Sequence, residues 1–422
     1  MRDIRSRLSQ ELEKLRRVLS LRDPTGVPYL RSLILAIVLL PLCLLVSRRA
    51  RTSRDPRTVY CVSILGAPRW AAITDVFCFV AQRAALGSER SILLLFPGQP
   101  DNKFLVSQWC DTIQADYGVR VRVVHRQGLC RALAIAFYLS RAYLPVSSFA
   151  GTGLVDYDKQ PSPGTVRLTA EQRQESEIDL RHLGIARPEH SVVLAMRELG
   201  DDLFGFASKS PSKNAVLYSS PERFGSAVGV FTRAGLQLVR VAKRPAIELP
   251  NWQPSNSVID YARRARTEMT DVYLASNCLF CISDGSGFHW LASASGRPTL
   301  FTNLSLPSSP LRSDSIFLPI RFWSIRDGRL LRVREMAKLG PHLFQVPEIR
   351  RHQLEAIRPE EELVAEACSE MIDFARGDQA PIRPSDEQFL LTRDIQAAFA
   401  PKVVRGRVSL GFARQFWREL SE

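Results

Sequence analysis

Two arginines and one short glycine/serine loop in this 422-residue chain have the chemistry of an anion site. Arg197 and Arg240 each close an apolar run, LAM before the first and QLV before the second. The loop Ser283-Asp284-Gly285-Ser286-Gly287 follows a third apolar run, Leu279–Ser283. Glycine lets a backbone approach a ligand closely, and successive N–H groups in such a loop can face an anion. Two guanidinium groups with a backbone cradle match the charge and geometry of a diphosphate. A Gly-rich turn without a ligand is the alternative for the loop, and a solvated surface residue is the alternative for each arginine.

The elements that must position these residues are strands alternating with helices. Val59–Leu65, Ser91–Phe96 and Val119–Val124 read as strands, separated by helical stretches at Ala71–Leu86 and Phe104–Tyr117. Arg131–Leu144 reads as a further helix. A Gly/Pro/Ser/Asp-rich stretch at 151–168 reads as a connection. A helix at Thr169–Leu183 follows, with Thr169 as its cap, and then strands at Ser191–Met196 and Leu236–Val241. The alternation predicts an α/β protein of two Rossmann-like domains, each built on a parallel sheet. The domains are 58–150 and 169–345, and helices in 346–422 are expected to pack back across both. Ligands of such sheets bind at the carboxyl ends of the strands, where the loop and both arginines fall.

Net charge is +14, and residues 1–57 carry +8 of it, which weighs against a nucleic-acid partner. The basic excess flanks Leu33–Val46, fourteen residues without a charge. With its flanks the run approaches the ~20 residues of a bilayer span, and Pro41 would kink it. Upstream, Ile4, Leu8, Leu12, Leu15 and Leu19 recur at helical spacing among basic residues. Residues 1–57 are therefore expected to be an amphipathic helix and a membrane segment, either spanning or re-entrant. Of eight cysteines, Cys278 and Cys281 have metal-ligand spacing, yet they lie in a strand and no second pair answers them. Asp156-Tyr157-Asp158 sits in the connecting loop and reads as a solvated turn, so no metal site is expected.

From Thr169 to Glu335 the chain resembles bacterial glycosyltransferases encoded among surface-polysaccharide genes. The pieces that carry the resemblance run in order: LAMRELGDD, SKNAVLYSSPERFGSAVGVFTRAGLQLVRV, SVIDYARRARTEMTDVYLASNCLFCIS and SGFHWLASASGRPTLFTN. The family pattern falls here on Arg197, Lys213-Asn214, Gly235 with Arg240, Ile259-Asp260-Tyr261, Ser286-Gly287, and Pro298 with Asn303. Lys213 stands where the family has arginine. A looser resemblance is to heptosyltransferases, whose helix histidine lies one residue beyond His289, where this chain has Trp290.

These resemblances imply the GT-B arrangement with the donor in the C-terminal domain. Arg197, Lys213, Asn214, Arg240, Asp260, Tyr261, Ser283, Gly285, Ser286, Gly287 and His289 would then hold a nucleotide-sugar donor without a cofactor or metal. The acceptor would be a glycan or a lipid-linked one. The place would be the bacterial inner membrane, with the catalytic domains cytoplasmic. An inverting transfer needs a proton acceptor. Asp75 and Asp101 are candidates by location alone. A catalytically inactive scaffold of a polysaccharide assembly is the alternative. A dinucleotide-dependent oxidoreductase is a third reading. It is disfavoured because Gly66-Ala67-Pro68-Arg69 follows the first strand instead of G-x-G-x-x-G.

Overall fold

A computed structural model of the chain describes residues 36–41, 59–64, 70–85, 91–96, 99–100, 102–126, 129–130, 132–134, 136, 143–146, 155, 157–158, 165–196, 219–242, 248–252, 257–264, 266–306, 312–340, 343, 345–378, 386–399 and 405–421. The chain divides into two compact units. The N-terminal unit holds Met1–Asp156 and Pro163–Arg167, and the C-terminal unit holds Tyr157–Ser162 and Leu168–Glu422.

The N-terminal unit contains β1 (Val59–Ile64), α1 (Trp70–Ala85), β2 (Ser91–Leu95), α2 (Lys103–Tyr117), β3 (Arg120–Val124) and β4 (Tyr143–Val146). All pairings are parallel, in the order β3-β2-β1-β4. Asn102 caps α2 by accepting the Leu105 N–H at 2.7 Å, and Gly118 ends it in the left-handed region. Phe77 of α1 stacks on Trp109 of α2 with ring centroids 4.8 Å apart, which joins the two helices. The stretch expected as a helix at Arg131–Leu144 is helical at 132–134 and 136, but its end needs correction, because Tyr143 and Leu144 begin β4. Pro145 is tolerated there because β4 pairs with β1 alone, as an edge strand.

Of the apolar run Leu33–Val46, only residues 36–41 are described, and they are helical. The expected amphipathic helix upstream lies outside the described residues. Ala36 is buried in a cluster with Leu95 and Cys130, while Ile37 and Val38 are 62% and 67% exposed. Among the described residues, no helix is long and apolar enough to cross a membrane.

The C-terminal unit opens with α3 (Ala170–His182). Its Thr169–Gln172 capping box is complete: Thr169 Oγ1 accepts the Gln172 N–H at 3.2 Å, and Gln172 Oε1 accepts the Thr169 N–H at 2.9 Å. Then come β5 (Ser191–Ala195), α4 (Gly225–Arg233), β6 (Gln237–Val241), β7 (Val258–Asp260), α5 (Glu268–Asn277), β8 (Phe280–Ser283), α6 (Phe288–Ala294), β9 (Thr299–Leu304) and β10 (Ile316–Pro319). A small antiparallel sheet follows, of β11 (Arg321–Ser324), β12 (Arg329–Leu330) and, after α7 (Val333–Leu339) and α8 (Val346–Arg351), β13 (Leu354–Ile357). The chain ends with α9 (Glu361–Arg376), α10 (Glu387–Ala398), β14 (Arg407–Val408) and α11 (Leu410–Ser421).

The large sheet is parallel throughout, in the order β14-β10-β9-β8-β5-β6-β7. Leaving aside β14, this is the 3-2-1-4-5-6 order of a doubly wound nucleotide-binding sheet. Both faces are covered, which is why the strands are buried almost residue by residue. Val192, Leu194, Leu238, Phe280 and Ile282 face one core, and Val193, Ala195, Val239, Ile259 and Cys281 face the other. The helices α9, α10 and α11 bury Val364, Met371, Leu391, Phe412 and Phe416 in the first of these cores. Burial of each large apolar side chain is worth roughly 1.5–3 kcal/mol. The sequence reading lays 346–422 across both domains; the core contacts of these helices lie within the C-terminal unit's own cluster.

Candidate functional site

The order of the large sheet reverses between β5 and β8. A parallel sheet opens a crevice at that point, beyond the carboxyl ends of the strands. Ala195 and Ser283 are register partners at those ends. From β5 the chain leads to α4, which packs with α9, and from β8 it leads through the loop 284–287 to α6.

The loop is built around Ser283. Its Oγ accepts the N–H groups of Gly285 at 3.0 Å and Ser286 at 3.2 Å. The sequence reading has these amides aimed at a ligand; that is corrected here, since the loop uses both to hold its own turn. His289 completes the brace. Its Nδ1 lies 3.2 Å from Ser283 Oγ and also contacts the Ser286 carbonyl. A carbonyl only accepts, so Nδ1 carries the hydrogen in that contact. The ring is buried edge-on to Phe301, with centroids 4.9 Å apart. His289 therefore acts as a structural prop of the loop. Gly285 sits at φ 94°, a conformation that glycine adopts without strain. The helix behind the loop, α6, has only seven residues.

Arg240 does not join this loop. It is fully buried, and its Nη1 donates to Asp260 Oδ2 at 3.0 Å across the β6–β7 pair. Arg263 Nε lies 3.7 Å from the same oxygen. Successive side chains in a strand leave opposite faces. Arg240 is the register partner of Leu194, and Ser283 that of Ala195. Arg240 and Ser283 thus leave the sheet on opposite faces, which corrects the expectation that they converge. Tyr261 is fully buried as well. Its hydroxyl donates to Asp271 Oδ1 at 2.9 Å and lies 2.8 Å from Thr270 Oγ1. Burial pushes the Asp271 carboxyl up to about 6 against the pull of Arg266. Asp260 and Tyr261 are therefore parts of the scaffold behind the β7 end.

Arg197, Lys213, Asn214 and Asp101 lie outside the described residues. Asp75 is buried inside α1, in the N-terminal unit. Asp156 is also outside the described residues. Asp158, read as solvated, is instead engaged: it pairs with Arg405 at 2.6 Å and accepts the Ser313 N–H at 2.9 Å. Among the described residues, no three His, Cys, Asp or Glu side chains are grouped as metal ligands would be.

Two charged residues that the sequence reading missed, Arg223 and Arg358, lie with Asp284 of the loop toward the carboxyl edge. Asp284 follows β8 and is buried. Arg223 lies in the short 3-10 turn Pro221–Phe224 that leads into α4, and Arg358 lies between β13 and α9. Arg321 pairs with Ile357 in register, which returns the chain to the end of β10 just before Arg358. The Arg223 guanidinium donates to the Pro359 carbonyl, next in sequence to Arg358. Glu361 accepts from Ser226 N and Oγ at 2.5 and 2.8 Å, which ties the starts of α4 and α9 together. Burial lowers the pKa of Arg223, helped by the charge of Arg358 and opposed by Glu360. Burial also lowers that of Arg358, opposed by Asp284. The one local signal for Arg358 is the run Arg358-Pro359-Glu360-Glu361 at a helix start. Nothing in it points to a loop 71 positions or more away in sequence.

No family model matches this sequence, and no curated protein does. Solved structures similar to it include a glycosyl transferase family 9 protein from Veillonella parvula, with 12% identity and a TM-score of 0.39 over 62% of this chain and 86% of that one. E. coli heptosyltransferase WaaC with ADP-2-deoxy-2-fluoro heptose is similar at 10% identity and a TM-score of 0.32, over 62% of this chain and 92% of that one. E. coli ADP-heptose lps heptosyltransferase II is similar at 12% identity and a TM-score of 0.29, over 75% and 96%. All three of those proteins are glycosyltransferases.

Proposed function

We propose that this chain is a membrane-associated glycosyltransferase that moves a sugar from a nucleotide-sugar donor to a glycan or lipid-linked acceptor in surface-polysaccharide synthesis. The observation that carries the reading is the C-terminal unit's doubly wound sheet, with a glycine/serine loop and basic side chains at its switch point. Such a crevice suits a nucleoside diphosphate. The sequence resemblance between Thr169 and Glu335 supplies the reaction class. The oxidoreductase reading lacks support, because neither Gly66-Ala67-Pro68-Arg69 after β1 nor Met196-Arg197-Glu198-Leu199 after β5 has the dinucleotide fingerprint.

One observation favours the second reading, an inactive scaffold. Asp75, one of the two candidate proton acceptors, is enclosed within α1, away from any acceptor hydroxyl. The discriminating experiment has two stages. A thermal-shift screen of the full chain against UDP, GDP, CMP, ADP and NAD identifies the nucleotide. Release of that nucleotide from its sugar conjugate in the presence of membrane glycolipids then separates enzyme from scaffold. Stabilisation by NAD alone would contradict both readings.

Membrane association belongs to the same proposal, with the catalytic units on the cytoplasmic side, where nucleotide sugars are made. It draws on the basic excess in residues 1–57 and on the helical turn at 36–41. That turn packs Ala36 inward and leaves Ile37 and Val38 outward, the pattern of a segment that shares one face with lipid. The double substitution Ile37→Asp and Val38→Asp keeps Ala36 in place and should move the protein from the membrane fraction to the soluble one. Retention in the membrane fraction would place the anchor elsewhere.

A further inference from the structure

The small antiparallel sheet runs β12-β11-β13, with β11 in the middle. One face of it packs on the core, where Phe322 and Leu354 are buried and Ser324 is enclosed beside them. A half-buried antiparallel sheet ordinarily shows polar residues on its other face. Here Trp323 and Ile325 stand outward instead, 37% and 64% exposed. Ser324 between them is buried, so the two share the outward side. The other exposed large apolar side chains described in the C-terminal unit, Ile178 and Phe389, stand singly.

The turn that carries Ile325 is held in shape by its own bonds. Ser324 Oγ accepts the Asp327 N–H at 3.1 Å and donates to Asp327 Oδ2 at 2.9 Å, and the Gly328 N–H donates to the Ser324 carbonyl at 2.9 Å. Such a turn meets a partner without a further ordering cost. The Ile325 N–H donates to the Gln353 carbonyl at 3.0 Å, which sets the end of α8 beside the turn. Basic side chains lie on both sides. Arg326 is in the turn, Arg329 is the register partner of Ser324, and Arg350 and Arg351 end α8. Arg332 and Arg334 follow β12, and all six arginines are exposed. Glu335 pairs with Arg329 at 2.7 Å, Glu348 pairs with Arg351 at 3.4 Å, and Asp327 is bonded to Ser324. Arg326, Arg332, Arg334 and Arg350 make no ion pair among the described residues. Glu355, the register partner of Trp323, is an exposed acid on the outward side.

We infer that this turn seats the C-terminal unit on an anionic lipid surface, with Trp323 at headgroup level, Ile325 among the upper acyl chains and the neighbouring arginines on the lipid phosphates. The inference deepens the membrane-associated reading and rests on it for the lipid, but it draws on none of residues 1–57. A tryptophan ring favours the boundary between membrane and water, and an aliphatic neighbour adds apolar area to bury there. Each arginine near an anionic leaflet raises affinity by about fivefold. A protein partner fits less well, because two apolar side chains offer far less than the ~800 Å² per partner that a stable protein interface buries.

Co-sedimentation of the full chain with vesicles tests this, on phosphatidylcholine alone and on phosphatidylcholine with phosphatidylglycerol. Wild-type protein should prefer the anionic vesicles, and the preference should shrink as salt rises. Trp323→Ser with Ile325→Ser should weaken that binding by about tenfold or more, with the melting temperature unchanged. Glu355→Lys replaces a repelled charge with an attracted one and should strengthen it by about fivefold or more. Brominated acyl chains should quench part of the wild-type tryptophan emission, and Trp323→Phe should lose that part while the protein still binds. Wild-type affinity in the Trp323→Ser, Ile325→Ser protein, or unchanged quenching in Trp323→Phe, would overturn the inference. So would a dimer that these serine substitutions dissolve while vesicle binding is kept, since the patch would then join two copies of the chain. Loss of binding in the Ile37→Asp, Val38→Asp protein alone would keep the N-terminal anchor and refute this contact. Loss in the Trp323→Ser, Ile325→Ser protein alone would keep this contact and refute the anchor at 36–41. If wild-type protein binds neither kind of vesicle, both fail.

Discussion

Two arginine sites in the C-terminal unit differ in what the fold pairs them with. Arg240 ends a strand, is fully buried and donates to Asp260 at 3.0 Å. Arg223 and Arg358 precede helices and are only partly buried, and Arg223 donates to the Pro359 carbonyl. The first arrangement neutralises its cation within the protein. The second lies at an edge where a sheet of this order receives ligands. The comparison teaches that a strand-end arginine is not a ligand group by virtue of its position; what the fold already pairs it with decides.

Removing Arg240 should give the largest effect. Arg240→Ala removes the fully buried partner of an ion pair with the partly exposed Asp260 and leaves a void against the β6–β7 face. A loss of roughly 3–5 kcal/mol in unfolding free energy is expected by urea titration, with nucleotide affinity of the folded fraction kept. A stable variant with lost nucleotide affinity would reverse the roles assigned to the two sites.

Asp271 gives a pH-dependent test of the same scaffold. Its carboxyl is raised from 3.8 to about 6 by burial. The folded state therefore binds this proton more tightly than the unfolded state does. The stabilisation is full below about pH 4 and is lost as pH rises toward 6, by up to roughly 3 kcal/mol. Asp271→Asn should remove that fall between pH 4 and 6, which denaturation curves at several pH values would show. A slope unchanged in the variant would assign the titration to another group.

Gly285→Ala is the smallest of these perturbations. Nothing lies within 4 Å of the added carbon, so the cost is conformational, about 1 kcal/mol from the positive φ. If the loop serves the nucleotide, nucleotide affinity should fall along with the melting temperature. A fall in stability alone would make the loop a turn and nothing more.

Much of the architecture is legible in the sequence because its causes are local. Apolar runs such as Val192–Ala195, and the cap Thr169, announce their elements within a few residues. The edge strand β4 is hidden because its four residues adjoin a helical stretch and include Pro145. The short antiparallel sheet of β11, β12 and β13 is hidden because it depends on pairing Arg321–Ser324 with Leu354–Ile357. The site is harder still. Which face Arg240 takes depends on its register with Leu194 and Asp260, and no periodicity within Gln237–Val241 reveals it. The loop at Ser283–Gly287 is visible from its glycines, but the internal use of its amides follows from one hydroxyl. Arg358 reaches the switch point through a return strand that no local pattern announces.

The central claim is that a nucleoside diphosphate sits at the switch point of the C-terminal sheet. Photolabelling of the full chain with azido-substituted UDP and ADP, followed by mapping of the modified peptides, tests it most directly. The expected result is label in the peptides that carry Asp284–Trp290 or Pro221–Phe224, protected by excess pyrophosphate. Label confined to the N-terminal unit, or label that excess pyrophosphate does not displace, would contradict it.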